Sequence, residues 1–341
     1  MSKFLFIRFS AIGDVAMSIP VIYSFAVQYP EHEITVLSKS SLSPLFTEMP
    51  ANVSFLGIDA KHYKGLPGLN RLYKELKAEK FDYVGDLHNV LRSRYLRFRF
   101  KLDGVPVARI FKDRIGKRKL VRRFHKKLVN QKSSFRRYED VLKELGFPIQ
   151  LNFVSIYGEG KGDISLIREV TGDKGDMKWL GIAPFAKHKG KIYPIEMQEK
   201  VVAHFAARSD VKVFLFGFGK EEEDIFNSWI GKYPSLTSII GKLRMNTELV
   251  LMSHLDVMLS MDSANMHLAS LVNTPVVSVW GATHPYCGFM GWKQSPINAV
   301  QVDLPCRPCS VFGQKKCYRK DYACLNRITP EMIIHRIESN L

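Results

Sequence analysis

Several things are scarce in this sequence, and each scarcity narrows what the chain can be. No apolar run approaches the ~18 consecutive residues that span a bilayer, so no membrane-crossing helix is expected. The start, MSKFLFIRFS, has neither a long apolar core nor a small-residue cleavage site, which leads to the expectation of a cytoplasmic protein. Cysteine is sparse, five in 341 residues. The number is odd and four of them crowd between Cys306 and Cys324, which does not fit a secreted disulfide framework. Acidic residues are nearly missing from one stretch: residues 92–137 hold 18 Lys and Arg against only Asp103 and Asp113, a surplus of 16 in a chain whose total is +17. The excess charge is therefore local, and whatever docks there is expected to be acidic: nucleic acid, an anionic membrane surface or a phosphorylated substrate. There is no internal repeat of fixed period and no low-complexity tract beyond the basic one.

What is present is an alternation. The apolar runs FLFIRF, EITVL, VSFLGI and DYVGDL in the first third, and WLGIAPF, VKVFLFG, DVMLSM and PVVSVWG later, are separated by segments of helical period. Short β-rich runs between helices imply parallel sheets with crossover helices, an α/β fold. Gly158, Gly160, Gly162, Gly172 and Gly175 mark the linker region, so the chain is divided into domains 1–160 and 161–341. Two doubly wound domains facing each other across a cleft are expected. In the final segment, TPEMIIHRIESNL, Thr329 is a candidate N-cap and Pro330 the first residue of a closing helix.

Two stretches carry chemistry. In FLFIRFSAIGDVAMSIP a buried strand runs into Ser10, Gly13 and Asp14 before a helix pattern begins. A loop of small residues there exposes backbone N–H groups and one carboxylate at the carboxyl edge of a sheet, where open α/β sheets bind ligands; an ordinary tight turn fits the same residues. In DVMLSMDSANMHLAS a strand ends at Asp262, Ser263 is placed to cap the next helix, and His267 lies four residues on, on the same face. Such a helix start favours a phosphate. Lys191, just before Pro194, is either a point charge for that phosphate or a solvated lysine. Glu221, Glu222 and Glu223 open another helix, where acids favour the macrodipole and one can hold ribose hydroxyls.

Taken together, IRFSAIGDVAMSIPV, KIYP, GFGKEEE and MDSANMHLAS with TPVVSVWGAT resemble the bacterial ADP-heptose:lipopolysaccharide heptosyltransferases, glycosyltransferase family nine, over nearly the full length. The resemblance implies the GT-B architecture of two Rossmann-like domains, the first for the acceptor and the second for the nucleotide sugar. It implies inversion at the anomeric carbon without a metal or other cofactor. By resemblance, Asp14 is the general base, oriented by Ser10, with Gly13 letting the sugar approach. Lys191 meets the diphosphate, Glu221 the ribose and Met245 the adenine. Asp262 and His267 bind sugar hydroxyls, while the backbone at Ser263 and Ala264 meets the phosphates. The partners implied are a nucleotide-sugar donor, ADP-heptose first among them, and a phosphorylated or acidic glycolipid acceptor at the anionic inner face of the cytoplasmic membrane. Where many members have Asp-Thr-Gly or Asp-Ser-Gly, this chain has Asp262-Ser263-Ala264, which narrows the approach of phosphate to backbone.

The basic stretch is then the acceptor and membrane surface, with Arg118, Lys119, Arg122 and Arg123 at its centre and Tyr95, Phe98, Phe100, Phe111 and Phe124 as interfacial aromatics. On that reading no nucleic acid is expected. The rival readings are a nucleic-acid-binding protein that uses residues 92–137, and a sugar-nucleotide binder without turnover. The spacing of Cys306, Cys309, Cys317 and Cys324 is compatible with a structural zinc site but does not establish one.

Overall fold

The computed structural model describes residues 1–59 and 61–341. Most of the apolar runs become strands whose side chains are buried on both faces; the edge strand of VSFLGI is the more accessible one. β1 (Lys3–Ile7) sends Leu5 and Ile7 into one cluster with Leu37, Leu72, Val84 and Leu96. Phe4 and Phe6 point the other way and meet Phe25 edge-on, at 4.9 and 5.8 Å between ring centroids. Alternation with both sides apolar is what a parallel sheet covered by helices requires. Around β1 lie β2 (Glu33–Lys39), β3 (Val53–Ile58), β4 (Tyr83–Asp86) and β5 (Val107–Arg109), in the order β3-β2-β1-β4-β5 with every pair parallel.

The second sheet repeats the plan with six strands. These are β6 (Lys178–Ala183), β7 (Val211–Leu215), β8 (Thr237–Ser238), β9 (Val257–Met261), β10 (Val276–Val279) and β11 (Ala299–Val300), ordered β11-β10-β9-β6-β7-β8 and again parallel. Leu180, Ile182, Val213, Leu215, Leu259 and Val277 fill one side of it. The closing helix runs Pro330–Glu338, capped by the Thr329 hydroxyl, which accepts from Met332 N. Strand order reverses between β1 and β4 in the first sheet and between β6 and β9 in the second. Successive crossovers leave toward opposite faces at such points, which opens a ligand crevice at the carboxyl ends of the strands.

The chain divides into two units, one of Met1–Lys112 with Lys132–Ile156, the other of Asp113–Gln131 with Tyr157–Leu341. The boundary expected near residue 160 thus falls at 156/157, and the basic stretch does not stay in the first unit. Its middle packs with the second because Lys126 Nζ donates to the Cys306 and Pro308 carbonyls at 2.7 and 2.8 Å. Gln131 N donates to Tyr286 O at 2.9 Å, and the Lys117 ammonium lies 4.3 Å from the centre of the Phe289 ring. Among the described residues no helix is long and apolar enough to cross a membrane.

Gly85 in β4 sits opposite Phe6 in the register, and a Cβ there would lie 2.5 Å from Phe6 Cδ1 and 2.6 Å from Cε1. The Phe6 ring is 1% exposed and has no solvent to move into. Gly85→Ala is therefore expected to destabilise the first unit by ~1–3 kcal/mol. Urea unfolding followed by hydrogen exchange checks this: the loss of protection is confined to the first sheet, and an unchanged midpoint would mean that the core gives way to the extra methyl.

Candidate active site

At the order reversal of the first sheet, the residues after β1 and β4 are tied together. The helix after β1 starts sooner than expected and spans Ile12–Ala16, so Gly13 and Asp14 lie in its first turn and not in a loop. The cause is local: Asp14 Oδ2 reaches back to accept from Ala11 N at 3.2 Å, as in a capping box. The same oxygen pairs with Arg8 Nη2 at 2.7 Å. Arg8, only 6% exposed, also donates from Nη1 to Leu87 O at 2.8 Å, so one buried guanidinium joins both loops. The orienting contact for Asp14 is thus to Arg8, where Ser10 is expected; Ser10 is half-buried in the loop between them. The Tyr138 hydroxyl donates to Asp14 O at 3.2 Å, and burial holds that phenol well above its ordinary pKa, so it keeps its proton. The Asp14 side chain remains 34% accessible. It is therefore both fixed and reachable, as a base must be.

The loop after β4 is set by Asp86, which is fully buried. Its Oδ1 accepts from His88 N and Asn89 N at 3.0 and 2.7 Å, and its Oδ2 pairs with Arg97 Nη1 at 2.8 Å. This places His88 Nδ1 to accept from Phe9 N at 3.3 Å. Burial, followed by the charges of Arg8 and Lys112, pushes the His88 imidazole down to about 3. The ring is neutral, and the hydrogen bond at Nδ1 leaves its proton on Nε2.

The order reversal of the second sheet assembles a second charged group. Asp262, directly after β9, is 3% exposed. Its Oδ2 pairs with Lys191 Nζ at 3.0 Å and accepts from Thr283 Oγ1 at 2.7 Å. Lys191 belongs to the loop after β6 and its side chain is 16% exposed, so the solvated reading of this lysine does not hold. Behind it, Gly313 has φ +80°, and a Cβ there would lie 2.5 Å from Lys191 Cγ; only glycine leaves that path open. Ala282 N donates to Gly190 O at 2.8 Å, and Arg307, 3% exposed, donates to the Gly281, Trp280 and Thr283 carbonyls at 2.6, 3.0 and 3.1 Å. Ser263 occupies the N-cap position of the helix Ala264–Leu271, but its side chain does not cap it. The hydroxyl lies instead 3.2 Å from Ser260 Oγ. His267 is buried in the same helix, one turn after Ser263.

The remaining expected residues are more dispersed. Glu221 is exposed in the first turn of the helix Lys220–Lys232. The acid that meets the loop after β7 is Glu222, whose Oε2 accepts from Phe218 N at 2.7 Å and whose pKa is raised by burial. Met245 opens the helix Met245–His254, half-buried, one turn ahead of Glu248, whose carboxyl burial pushes up to about 7. All five cysteines are free thiols, and among the described residues no three His, Cys, Asp or Glu side chains are grouped to hold a metal.

The basic stretch is also less uniform than its composition. Arg118, Lys119, Arg122 and Arg123 are exposed, but Arg97 serves Asp86, and Arg137 is 4% exposed and donates to the Lys132 and Phe111 carbonyls at 3.0 and 2.8 Å. Of the aromatics, Phe98, Phe111 and Phe124 are exposed and Tyr95 is half-buried. Phe100 is core, packed edge-on against Tyr73, because it falls on the inner face of its helix. The stretch is divided between the two units, 92–112 and 132–137 in the first and 113–131 in the second.

Arg8, His88, Thr283 and Arg307 were not singled out by the sequence. Thr283 lies within a motif that was noticed; the others make contacts that join residues far apart in the chain and leave no periodic trace.

The sequence model of glycosyltransferase family 9 (heptosyltransferase) matches residues 69–319. Lipooligosaccharide heptosyltransferase 2 of Campylobacter jejuni is 23% identical over 334 residues, covering 96% of this chain and 95% of its own. The ADP-heptose lipopolysaccharide heptosyltransferase II of Escherichia coli superposes with a TM-score of 0.70 at 17% identity, over 99% of this chain and 98% of its own. A glycosyl transferase family 9 protein from Veillonella parvula gives 0.73 at 18% identity, over 99% and 96%. Two parallel sheets with charged groups gathered where each strand order reverses are the GT-B design, and with the sequence match over most of its length this chain belongs to glycosyltransferase family 9, the heptosyltransferases.

Proposed function

We propose that the protein transfers heptose from ADP-heptose to a lipopolysaccharide core acceptor, inverting the anomeric centre without a metal. The observation that carries this reading is the group at the second order reversal: Lys191 held beside buried Asp262, next to a helix start whose first-turn N–H groups have no side-chain cap. A departing diphosphate is stabilised by such a cation and such a helix end. Asp262 and His267 remain the candidates for sugar hydroxyls, the backbone at Ser263 and Ala264 for the phosphates, Met245 for adenine and Glu221 for ribose. In this reading the second unit binds the donor and the first supplies the base.

Asp14 takes the proton from the acceptor hydroxyl as it attacks the anomeric carbon. Arg8 pairs with this carboxylate and fixes its direction. As the proton arrives, the Arg8 contact to Leu87 O persists, so the guanidinium stays in place when Asp14 is neutral. His88 offers a neutral Nε2–H donor from the neighbouring loop.

The acceptor is met at the anionic inner face of the cytoplasmic membrane, to which the protein binds peripherally. Exposed Arg118, Lys119, Arg122 and Arg123 alternate with exposed Ile115, Phe124, Leu128 and Val129, a pattern that supports interfacial binding. Nucleic acid is not a partner in this reading.

Asp14→Asn is nearly isosteric and is expected to lower turnover at least ~100-fold while ADP affinity by calorimetry is unchanged. Wild-type turnover in that variant would remove Asp14 from the mechanism. Offered ADP-, GDP- and UDP-heptose in turn, with a heptose-deficient lipopolysaccharide, the wild-type protein is expected to give a heptose-extended product by mass spectrometry from the ADP sugar. Equal yields from all three would show that Met245 and its neighbours do not read the base.

A further inference from the structure

A cavity of about 350 Å³ lies in the second unit, away from Lys191 and Asp262 in its lining. Its wall is drawn from two segments distant in sequence: Arg118, Arg122 and Arg123 from the basic stretch, and Lys315, Lys316 and Tyr318 from the segment between Cys309 and Cys324. The two are fastened to each other. Lys126 Nζ bonds the Cys306 and Pro308 carbonyls, and the Arg123 guanidinium stacks 4.7 Å from the centre of the Tyr318 ring.

Five cations around one cavity repel one another. Among the described residues none of the five is within ion-pair distance of a carboxylate. Of the two acids nearest in sequence, Asp321 is engaged by Arg319 at 2.9 Å and Asp113 accepts from Gly116 N at 2.9 Å. The thiol of Cys309, which also lines the wall, is held protonated by burial and adds no negative charge. A cluster of this kind is a site for an anion, and the guanidinium forks favour oxygen anions of fixed geometry. The volume is at the lower end of small-ligand sites. A half-open cavity of that size has room for a discrete charged group, such as one carried by a molecule at the membrane surface.

We infer that this cavity binds a phosphate monoester carried on a sugar. On the reading that the acceptor is an acidic glycolipid, the group belongs to the acceptor, and the cavity is where that acceptor is recognised by charge.

The test titrates glucose 6-phosphate, glucose and ADP separately into the wild-type protein and into Lys315→Ala/Lys316→Ala, by calorimetry. Both lysines are exposed and bear no core contact, so the variant is expected to fold, and its ADP affinity serves as the check. Glucose 6-phosphate is expected to bind the wild type and to lose at least ~10-fold in affinity in the variant, with glucose inert and ADP unchanged. Equal glucose 6-phosphate affinity in the two proteins overturns the proposal, as does equal binding of glucose. So does a variant that loses phosphatidylglycerol vesicles while the sugar phosphate binds neither protein, since the cations then serve a bilayer. Sugar-phosphate binding at the cavity with no heptosyl transfer to any acceptor would leave the cavity standing and remove the proposed reaction.

Discussion

The carboxylate of Asp262 is the constraint around which the second unit is arranged. It ends a fully buried strand, β9, where an unpaired charge is not tolerated. Lys191 and Thr283 satisfy it, and they come from the loops after β6 and β10, the strands on either side of β9. Thr283 is in turn held through its carbonyl by Arg307, and the Lys191 stem passes over Gly313. The cysteine-bearing segment 306–313 thereby buttresses the site, through Arg307 and through backbone bonds such as those from Cys309 N and Ser310 N to Ala282 O. In the proposed reaction a donor phosphate that draws on Lys191 shares it with Asp262. The pair therefore sets both the position of the cation and how much of its charge is available.

The first unit solves a similar problem with the opposite exposure. There the cation, Arg8, is buried and the carboxylate, Asp14, is reachable. A buried guanidinium that bonds Leu87 O as well as Asp14 gives up little freedom, so the carboxylate is held by something that does not itself move. In the proposed reaction this pairing spares the protein a search among carboxylate orientations, and orientation is worth much to a displacement. In both units the charged pair sits where the strand order reverses, so chain topology decides where chemistry is possible before any particular residue does.

Much of this was legible in the sequence. All eight apolar runs are strands; seven are mostly buried, and VSFLGI, the edge strand β3, is apolar in sequence although much of it is accessible. The strands that escaped notice, β5, β8 and β11, are edges of two or three residues, too short to form a pattern. Asp262 stood out because it follows a strand directly, and Asp14 and Lys191 because they lie in the segments that join a strand to the next helix pattern. The part played by Arg8 did not, since a cation at the fifth position of a strand-like run says nothing about Leu87, 79 residues on. His88 and Arg307 were hidden for the same reason. The hydroxyl of Ser263 was expected to cap its helix because spacing suggests a cap; Ser260, three residues earlier, took it instead. Composition showed the basic stretch as one object, whereas folding spends Arg97 and Arg137 on internal carboxylates and carbonyls and divides the rest between two units.

The dependence of the donor site on Asp262 is tested most directly by a double-mutant cycle on ADP affinity, using Lys191→Met, Asp262→Asn and the pair together, with each protein's unfolding midpoint as a control. If the two residues act as one unit, the pair of substitutions weakens ADP by clearly less than the sum of the single effects, with a coupling of ~1 kcal/mol or more. Additive effects, or an Asp262→Asn protein that binds ADP as the wild type does, would contradict the account.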